Sequence, residues 1–435
     1  MKRILMVLLC FITVLSVSCD KSVEFKRNEH ADNWITDLET MKNKLPNVAA
    51  GWTDDISKSE WNDNIDKLIE DINAKTMSDI EIKYRIDEIL MPIKDGHLNF
   101  ECGYNIYTKI IPIYFKITSN KDFYVGGVNK ENEQYLGSKI ISINDIDIDD
   151  IVDKIMEITP HDNQEFVYAN LEAYGFDGGK LKYLGIGKDV NKFKFETVDG
   201  EIVEHDIELI NYNEFKPIFI VNKYENKLLR NDKPSNALNE YWYKIDEDND
   251  VFYFQYNKCE DKTSEYSSNK NLPYFEDFTS EMVEYMKEND EKFNTIIIDL
   301  RNNTGGDPSL LLNYYIKNNI EYLNQKDIKI LVGKRTFSAG ISAINDLYDN
   351  LNIKSYGTET GGLIGGYTVR GNLFLNSTGS SIFCSIQRAN YNPLTERQED
   401  EWSGFIPDVI VEDTAEDFIQ GIDRVYEEAV KDSNF

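Results

Sequence analysis

Ser338 stands in the run Lys334-Arg335-Thr336-Phe337-Ser338-Ala339-Gly340, after an apolar stretch ending at Val332 and before a segment of helical periodicity opening at Ala339. A serine at a strand-to-helix turn holds its hydroxyl above the sheet. The backbone N–H of the next residue then points at whatever the hydroxyl attacks. The helix dipole and its free amides favour an oxyanion at the same place. This is chemistry for nucleophilic acyl transfer, although on spacing alone the simpler reading is that Ser338 caps the helix. A second run, Asp299-Leu300-Arg301-Asn302-Asn303-Thr304-Gly305-Gly306, follows another apolar stretch. Adjacent glycines let backbone amides turn inward at the carboxyl edge of a sheet, where open α/β folds bind ligands. The alternative is a plain loop leading into a helix. The run lacks the Gly-Lys-Ser/Thr ending of a phosphate loop.

The elements that would carry these runs follow from periodicity. Thr295–Leu300 and Ile328–Val332 read as strands of a buried parallel sheet, and Phe252–Tyr256 as a further strand. Tyr274–Glu288, Leu310–Lys317 and Ala339–Leu351 read as the helices between and after them, which makes an α/β core. Upstream, the pattern is different. Residues 28–95 read as helical, with Trp34, Leu38, Met41 and Leu45 on one stripe, Trp61, Ile65, Leu68 and Ile72 on another after a Ser59-Glu60 start, and a third helix opening at Ser78. From Ile110 the period changes to two, with strands at Ile111–Ile117, Phe123–Val128, Gly137–Asn144, Lys192–Thr197 and Glu201–Leu209 and a short helix at Ile151–Ile158. Residues 210–250 are polar and rich in Asn and Tyr, and read as a surface connection. The fold class is therefore α/β, or α+β multidomain.

The chain has 435 residues, 47 Lys plus Arg against 77 Asp plus Glu, and a formal net charge of −30. Such a chain lacks the basic face that nucleic-acid phosphates require, and it is repelled by anionic lipid. Met1-Lys2-Arg3, the apolar run Ile4–Val17 and Ser16-Val17-Ser18 form the three regions of a secretory signal. The run is shorter than the roughly 20 residues of a membrane span. Ser18-Cys19 resembles the end of a bacterial lipoprotein signal, with Leu15 one position further from the Cys than usual. That resemblance implies lipidation of Cys19, with cleavage after Ser18 as the rival. Cys102, Cys259 and Cys384 are widely spaced, and neither a disulfide framework nor zinc spacing is present.

Read in order, "IIIDLRNNTGG", "KRTFSAG", "GTETGG" and "GFIPDV", over roughly residues 250–412, resemble the tail-specific (C-terminal processing) serine peptidases. "KDGHLNF" at 94–100 resembles a further element of that family, and "LGSKIISINDIDIDDIV" the second half of a PDZ-type module. The resemblance covers about three quarters of the chain. Together with the elements read above, it divides the chain into a signal segment over 1–19, a helical N-terminal region over 20–100, a PDZ-like β-rich module over 101–210, a connection over 211–250 and, as the resemblance implies, a catalytic core of ClpP/crotonase-like type over 251–435. It implies Ser338 as nucleophile, with the amides of Ala339 and of Gly305 or Gly306 as the oxyanion hole. Family members with a Ser–Lys dyad carry the lysine just after the GTET segment, where this chain has Leu363. The tricorn-like branch instead uses a histidine from the N-terminal side, which implies His97, 241 residues before the serine. A neutral imidazole suits the role of base near neutral pH. That branch also has a supporting acidic residue, which implies Glu401 in Glu401-Trp402-Ser403-Gly404-Phe405-Ile406-Pro407-Asp408, with Glu396 and Glu399 as rivals. It has a serine before its histidine where this chain has Gly96, leaving Asp95 or a backbone group to orient the ring. The implied activity is peptide hydrolysis outside the cell membrane on peptide or protein substrates, with no cofactor, no metal, and membrane contact only through Cys19. A peptide-binding protein that keeps the fold without the catalysis is the alternative.

Overall fold

The computed structural model describes residues 26–432 apart from 54–55, 107, 221–239, 266, 268, 389–393 and 395–401. Three helices come first, α1 (Ala31–Lys44), α2 (Lys58–Ala74) and α3 (Asp79–Leu90). Their apolar stripes, including Trp34, Met41, Ile65 and Ile86, are fully buried. Ser57, not the Ser59-Glu60 pair, starts α2, because its hydroxyl accepts from the Glu60 amide. Ser78 and Glu81 form a reciprocal capping box on α3. The helices do not close a core alone. Leu373, Leu375, Ile382 and Cys384, from a hairpin late in the chain, pack into the same cluster. The strand β1 (Asn99–Glu101) joins that hairpin as an antiparallel edge strand, pairing Phe100 with Ile382. His97 sits just before it.

A second core is built on β2 (Ile113–Ile117), β3 (Phe123–Val128), β4 (Lys139–Ile143), β5 (Ile146–Asp147), β6 (Val190–Glu196), β7 (Ile202–Glu208) and β8 (Ile218–Phe219), with the main path in the order β2-β3-β4-β6-β7. Three helices cover it, α4 (Ile148–Met156), α5 (Gln164–Tyr174) and α6 (Gly178–Tyr183). The last two come from a stretch that periodicity left unread. Asn163 caps α5 by accepting from the Phe166 amide. Gly175, at φ 71°, ends α5 so close to β2 that a Cβ would lie 2.8 Å from the Ile113 carbonyl.

The third core surrounds a six-stranded sheet of β9 (Tyr241–Asp246), β10 (Val251–Tyr256), β11 (Thr295–Asp299), β12 (Asp327–Val332), β13 (Ile353–Gly357) and, after the hairpin β14 (Tyr367–Leu375) and β15 (Ser380–Arg388), β16 (Val409–Ile410). Pairing is parallel except for β9. Alternate residues serve two faces: Phe252, Phe254, Ile296 and Ile298 enter one cluster, and Val251, Tyr253 and Ile297 the other. The first cluster is closed by α7 (Phe275–Glu288), α8 (Lys317–Leu323) and α9 (Ala339–Asn350), the second by residues of α11 (Arg424–Lys431), which follows α10 (Ala415–Gln420). Two expectations need correction. The surface connection read over 210–250 contains β9, which pairs along its whole length with β10; it is a short half-buried edge strand set in a polar stretch, whose composition hides it. The helix read over Leu310–Lys317 is a π-helical turn, Leu311–Ile316, that passes into α8.

Candidate active site

β12 delivers the chain to the Ser338 turn. The Thr336 hydroxyl donates to the Leu300 carbonyl at 2.8 Å, and the Phe337 amide donates to the Asn303 carbonyl at 2.9 Å, so the turn is bound to the loop after β11. Ser338 then takes φ 55° and ψ −123°, a region that side-chain-bearing residues rarely occupy. The hydroxyl makes no capping bond to α9. It lies 2.9 Å from the His97 Nε2 instead. The two residues that the sequence set 241 positions apart are thus in hydrogen-bond contact.

The ring is held from behind. His97 Nδ1 lies 3.2 Å from Asp95 Oδ1, and the same carboxylate accepts the His97 amide at 2.9 Å, the Ser385 amide at 2.7 Å and the Ser385 hydroxyl at 3.1 Å. With Nδ1–H donating to Asp95, the Nε2 lone pair faces the serine hydroxyl. Burial pushes the Asp95 carboxyl up, but the hydrogen bonds from His97 and Ser385 and the attraction of the imidazole outweigh it and hold the carboxyl below its ordinary value. Gly96 has a packing reason. A Cβ there would lie 2.9 Å from the Phe337 ring, whose centroid is 4.6 Å from that of His97. The His97 ring is thus held by the carboxylate two residues earlier, with Gly96 between them.

Two backbone amides are free to receive a negative charge. The Gly305 amide is engaged by the Asn303 side-chain oxygen at 2.9 Å, whereas among the described residues the Ala339 and Gly306 amides have no acceptor. Gly305 matters by its lack of a side chain, since a Cβ would lie 2.7 Å from that of Ser338 and 2.9 Å from the Ala339 amide. Asn303 is fully buried and also donates to the Tyr256 carbonyl at 2.8 Å, pinning the glycine loop to β10. A cleft of about 390 Å³ opens beside the turn, lined by Phe166, Ala169, Ala173, Thr304, Arg335 and Phe337.

Lys334, four residues before the serine, is buried and ties the turn to the second core. Its ammonium lies 2.9 Å from Glu172 of α5 and donates to the Ile117 carbonyl of β2. Burial pushes the Glu172 carboxyl up, but Lys334, Lys116 and the Ile117 amide more than offset this and lower it. Glu172→Ala removes the nearer of the two carboxylates from the buried ammonium, leaving Glu412 at 3.8 Å, and should destabilise the chain by on the order of 3 kcal/mol. Because the folded carboxyl titrates below its ordinary 4.5, the pair's contribution is complete above that pH and is lost as the pH falls through the folded value. The check is the difference in denaturant midpoint between wild type and variant at pH 7 and pH 3; it should shrink at the lower pH.

Ser338, His97, Ala339 and Gly305 are brought together, with Gly306 following Gly305 and packed against Cys259. Leu363 is buried and offers no base. Glu401, with Glu396 and Glu399, and Cys19 lie outside the described residues. The other histidines have partners of their own: His30 pairs with Asp79, His161 with the Thr159 carbonyl and His205 with Asn132. Sequence reasoning missed Ser385 and Asn303, and also Asp162, whose carboxylate accepts the Gly96 amide. Asn303 was within reach as part of the "RNNTGG" run; Ser385 and Asp162 act only through the fold and leave no local signal. Among the described residues no helix is long and apolar enough to cross a membrane.

No family model matches the sequence, and no curated protein matches it. Among solved structures the chain is similar to mature CPAF complexed with lactacystin, at 12% identity over 93% of this chain and 98% of that one, with a TM-score of 0.61. A mutant of CPAF gives 12% identity, 93% and 96% coverage and a TM-score of 0.65. The photosystem II D1 C-terminal processing protease, at 11% identity over 88% and 94% of the two chains, is a much looser match with a TM-score of 0.39. The mixed α/β architecture is thus shared with solved structures over nearly the whole chain, at an identity that speaks to fold and leaves the chemistry to the site itself.

Proposed function

We propose that this chain is an exported serine endopeptidase of the tail-specific type, with the Ser/His arrangement of the tricorn-like branch. The observation that carries the reading is the 2.9 Å contact between His97 Nε2 and Ser338 Oγ. In the proposed mechanism His97 takes the hydroxyl proton as Ser338 attacks a peptide carbonyl, and Asp95 stabilises the resulting imidazolium. The amides of Ala339 and Gly306 receive the oxyanion. His97 then returns the proton to the leaving amine, and water, deprotonated by the same ring, hydrolyses the acyl-enzyme. Asp95 takes the place of the acidic residue assigned to Glu401 by resemblance. The cleft beside Phe337 suits an extended chain, and the PDZ-like module would capture such a chain by adding it as a strand. The protein would work on unfolded or C-terminal segments of envelope proteins, held to the outer face of a membrane by lipid on Cys19.

The direct test is incubation of the mature protein with an unfolded polypeptide and mass analysis of the products. Discrete peptides that vanish with Ser338→Ala support the reading; no cleavage by folded wild type at any substrate tried overturns it. Mass analysis of the exported protein's N-terminus separately tests lipidation: a modified Cys19 is expected, and an unmodified N-terminus at Cys19 or later excludes the anchor.

A further inference from the structure

We propose that Asp162 is a positioning residue of this site, a buried carboxylate that fastens the His97 turn to the loop carrying Leu363. The inference rests on the peptidase reading above and deepens it. Asp162 lies in the connection between α4 and α5, in a different core from either His97 or Ser338. It is only 5% exposed. Its Oδ1 accepts the Gly96 amide at 2.5 Å, and the Leu363 amide also donates to the carboxylate. An ionised carboxylate is an acceptor only, which suits a position met by two backbone donors.

The neighbouring residues extend the same attachment. The Asn163 side-chain Nδ2 donates to the Thr360 carbonyl at 3.0 Å, and the Phe166 ring packs on Phe337 at 4.8 Å between centroids. One short segment thus touches the turn of the base, the residue before the nucleophile and the loop beside both. The titratable groups facing Asp162 are Asp95 and His97. The 360–363 loop has no charged side chain, and His161 on its own segment is turned to the Thr159 carbonyl. Burial, reinforced by the charge of Asp95, pushes the Asp162 carboxyl up to about 7 against the pull of the Gly96 amide and the imidazole. Ionised, Asp162 adds a second negative charge near the imidazolium that forms as Ser338 gives up its proton.

The sign of the stability effect follows. With a folded value near 7 and an ordinary one of 3.8, Asp162 leaves stability intact below about pH 4 and reduces it as the pH rises towards 7. Asp162→Asn in the mature chain should therefore melt higher than wild type at pH 8 and level with it at pH 4. It should nonetheless lose roughly tenfold in kcat with KM little changed, and the acid limb of its kcat/KM profile should move to lower pH, since a charge favouring the imidazolium is gone. Asp162→Ala, lacking both acceptors, should lose roughly a hundredfold and speed hydrogen exchange at the Gly96 amide. Should Asp162→Ala fail to fold, Asp162→Asn decides. Unchanged kcat and pH profile in Asp162→Asn, or unchanged hydrogen exchange at the Gly96 amide in a folded Asp162→Ala, overturns the assignment. Melting and exchange need no turnover. If wild type cleaves nothing and takes no serine-directed probe, the peptidase reading has failed, while hydrogen exchange at the Gly96 amide still decides whether Asp162 holds the turn.

Discussion

Ser338→Ala should reduce peptide turnover by roughly 10⁴-fold or more while leaving the fold intact. The two halves of this expectation have separate causes. Activity falls because the Ser338 hydroxyl is the group facing His97 Nε2. Stability is preserved because that hydroxyl caps nothing on α9. A serine that served as an N-cap would behave in the opposite way, with its alanine variant losing about 1 kcal/mol and no activity. Ser338→Gly sharpens the distinction. At φ 55° alanine retains the backbone strain of serine, whereas glycine is relieved of it. The glycine variant should be about 1 kcal/mol more stable than the alanine variant and equally inactive. Chemical denaturation of the two, side by side with a turnover assay, checks both statements.

Asp95→Asn should cost roughly 10³–10⁴-fold in kcat, whereas Glu401→Gln should cost less than about tenfold. The asparagine keeps the size of Asp95 but withdraws the charge that fixes the His97 ring by its Nδ1 nitrogen. Its amide group would also face the two donors of Ser385, which the carboxylate now accepts. The imidazole is then free to take the tautomer in which Nε2 carries the hydrogen and cannot accept the serine proton. Because the folded Asp95 carboxyl titrates below its ordinary 3.8, the wild-type arrangement persists down to that pH and is lost as the pH falls through the folded value. Steady-state kinetics of the two variants decide between the carboxylates. A large loss in Glu401→Gln with a small one in Asp95→Asn would transfer the orienting role back to the acidic loop.

The elements whose pattern is self-contained were legible in the sequence. Phe123–Val128 is a strand with the bounds its alternation suggests, and the all-apolar runs in β10, β11 and β12 are buried on both faces as such runs require. What escaped was structure stabilised from a distance. β9 is a strand because β10 lies beside it. β14 and β15 form a hairpin whose inner face, Leu373, Leu375, Ile382 and Cys384, completes the core of the N-terminal helices some 300 residues away. The same reason explains the site. Ser338 and the glycines were visible as turn residues, but spacing alone favoured a helix cap and a plain loop, and only the ordered set of motifs pointed to a site. Asp95 was visible only as one of several groups able to orient the ring, since the partner that fixes its carboxylate, Ser385, lies 290 residues further on. Gly96 looked like a gap in a relay, and its reason is the Phe337 ring across the interface.

The central claim, that His97 activates Ser338, is tested most directly by the rate at which a fluorophosphonate probe labels the mature protein at neutral pH. Ser338 of wild type should be labelled, as shown by peptide mapping, and His97→Ala should label at least a hundredfold more slowly while retaining wild-type melting behaviour. Folded wild type that takes no label at Ser338, or a His97→Ala variant that labels as fast as wild type, would contradict the account.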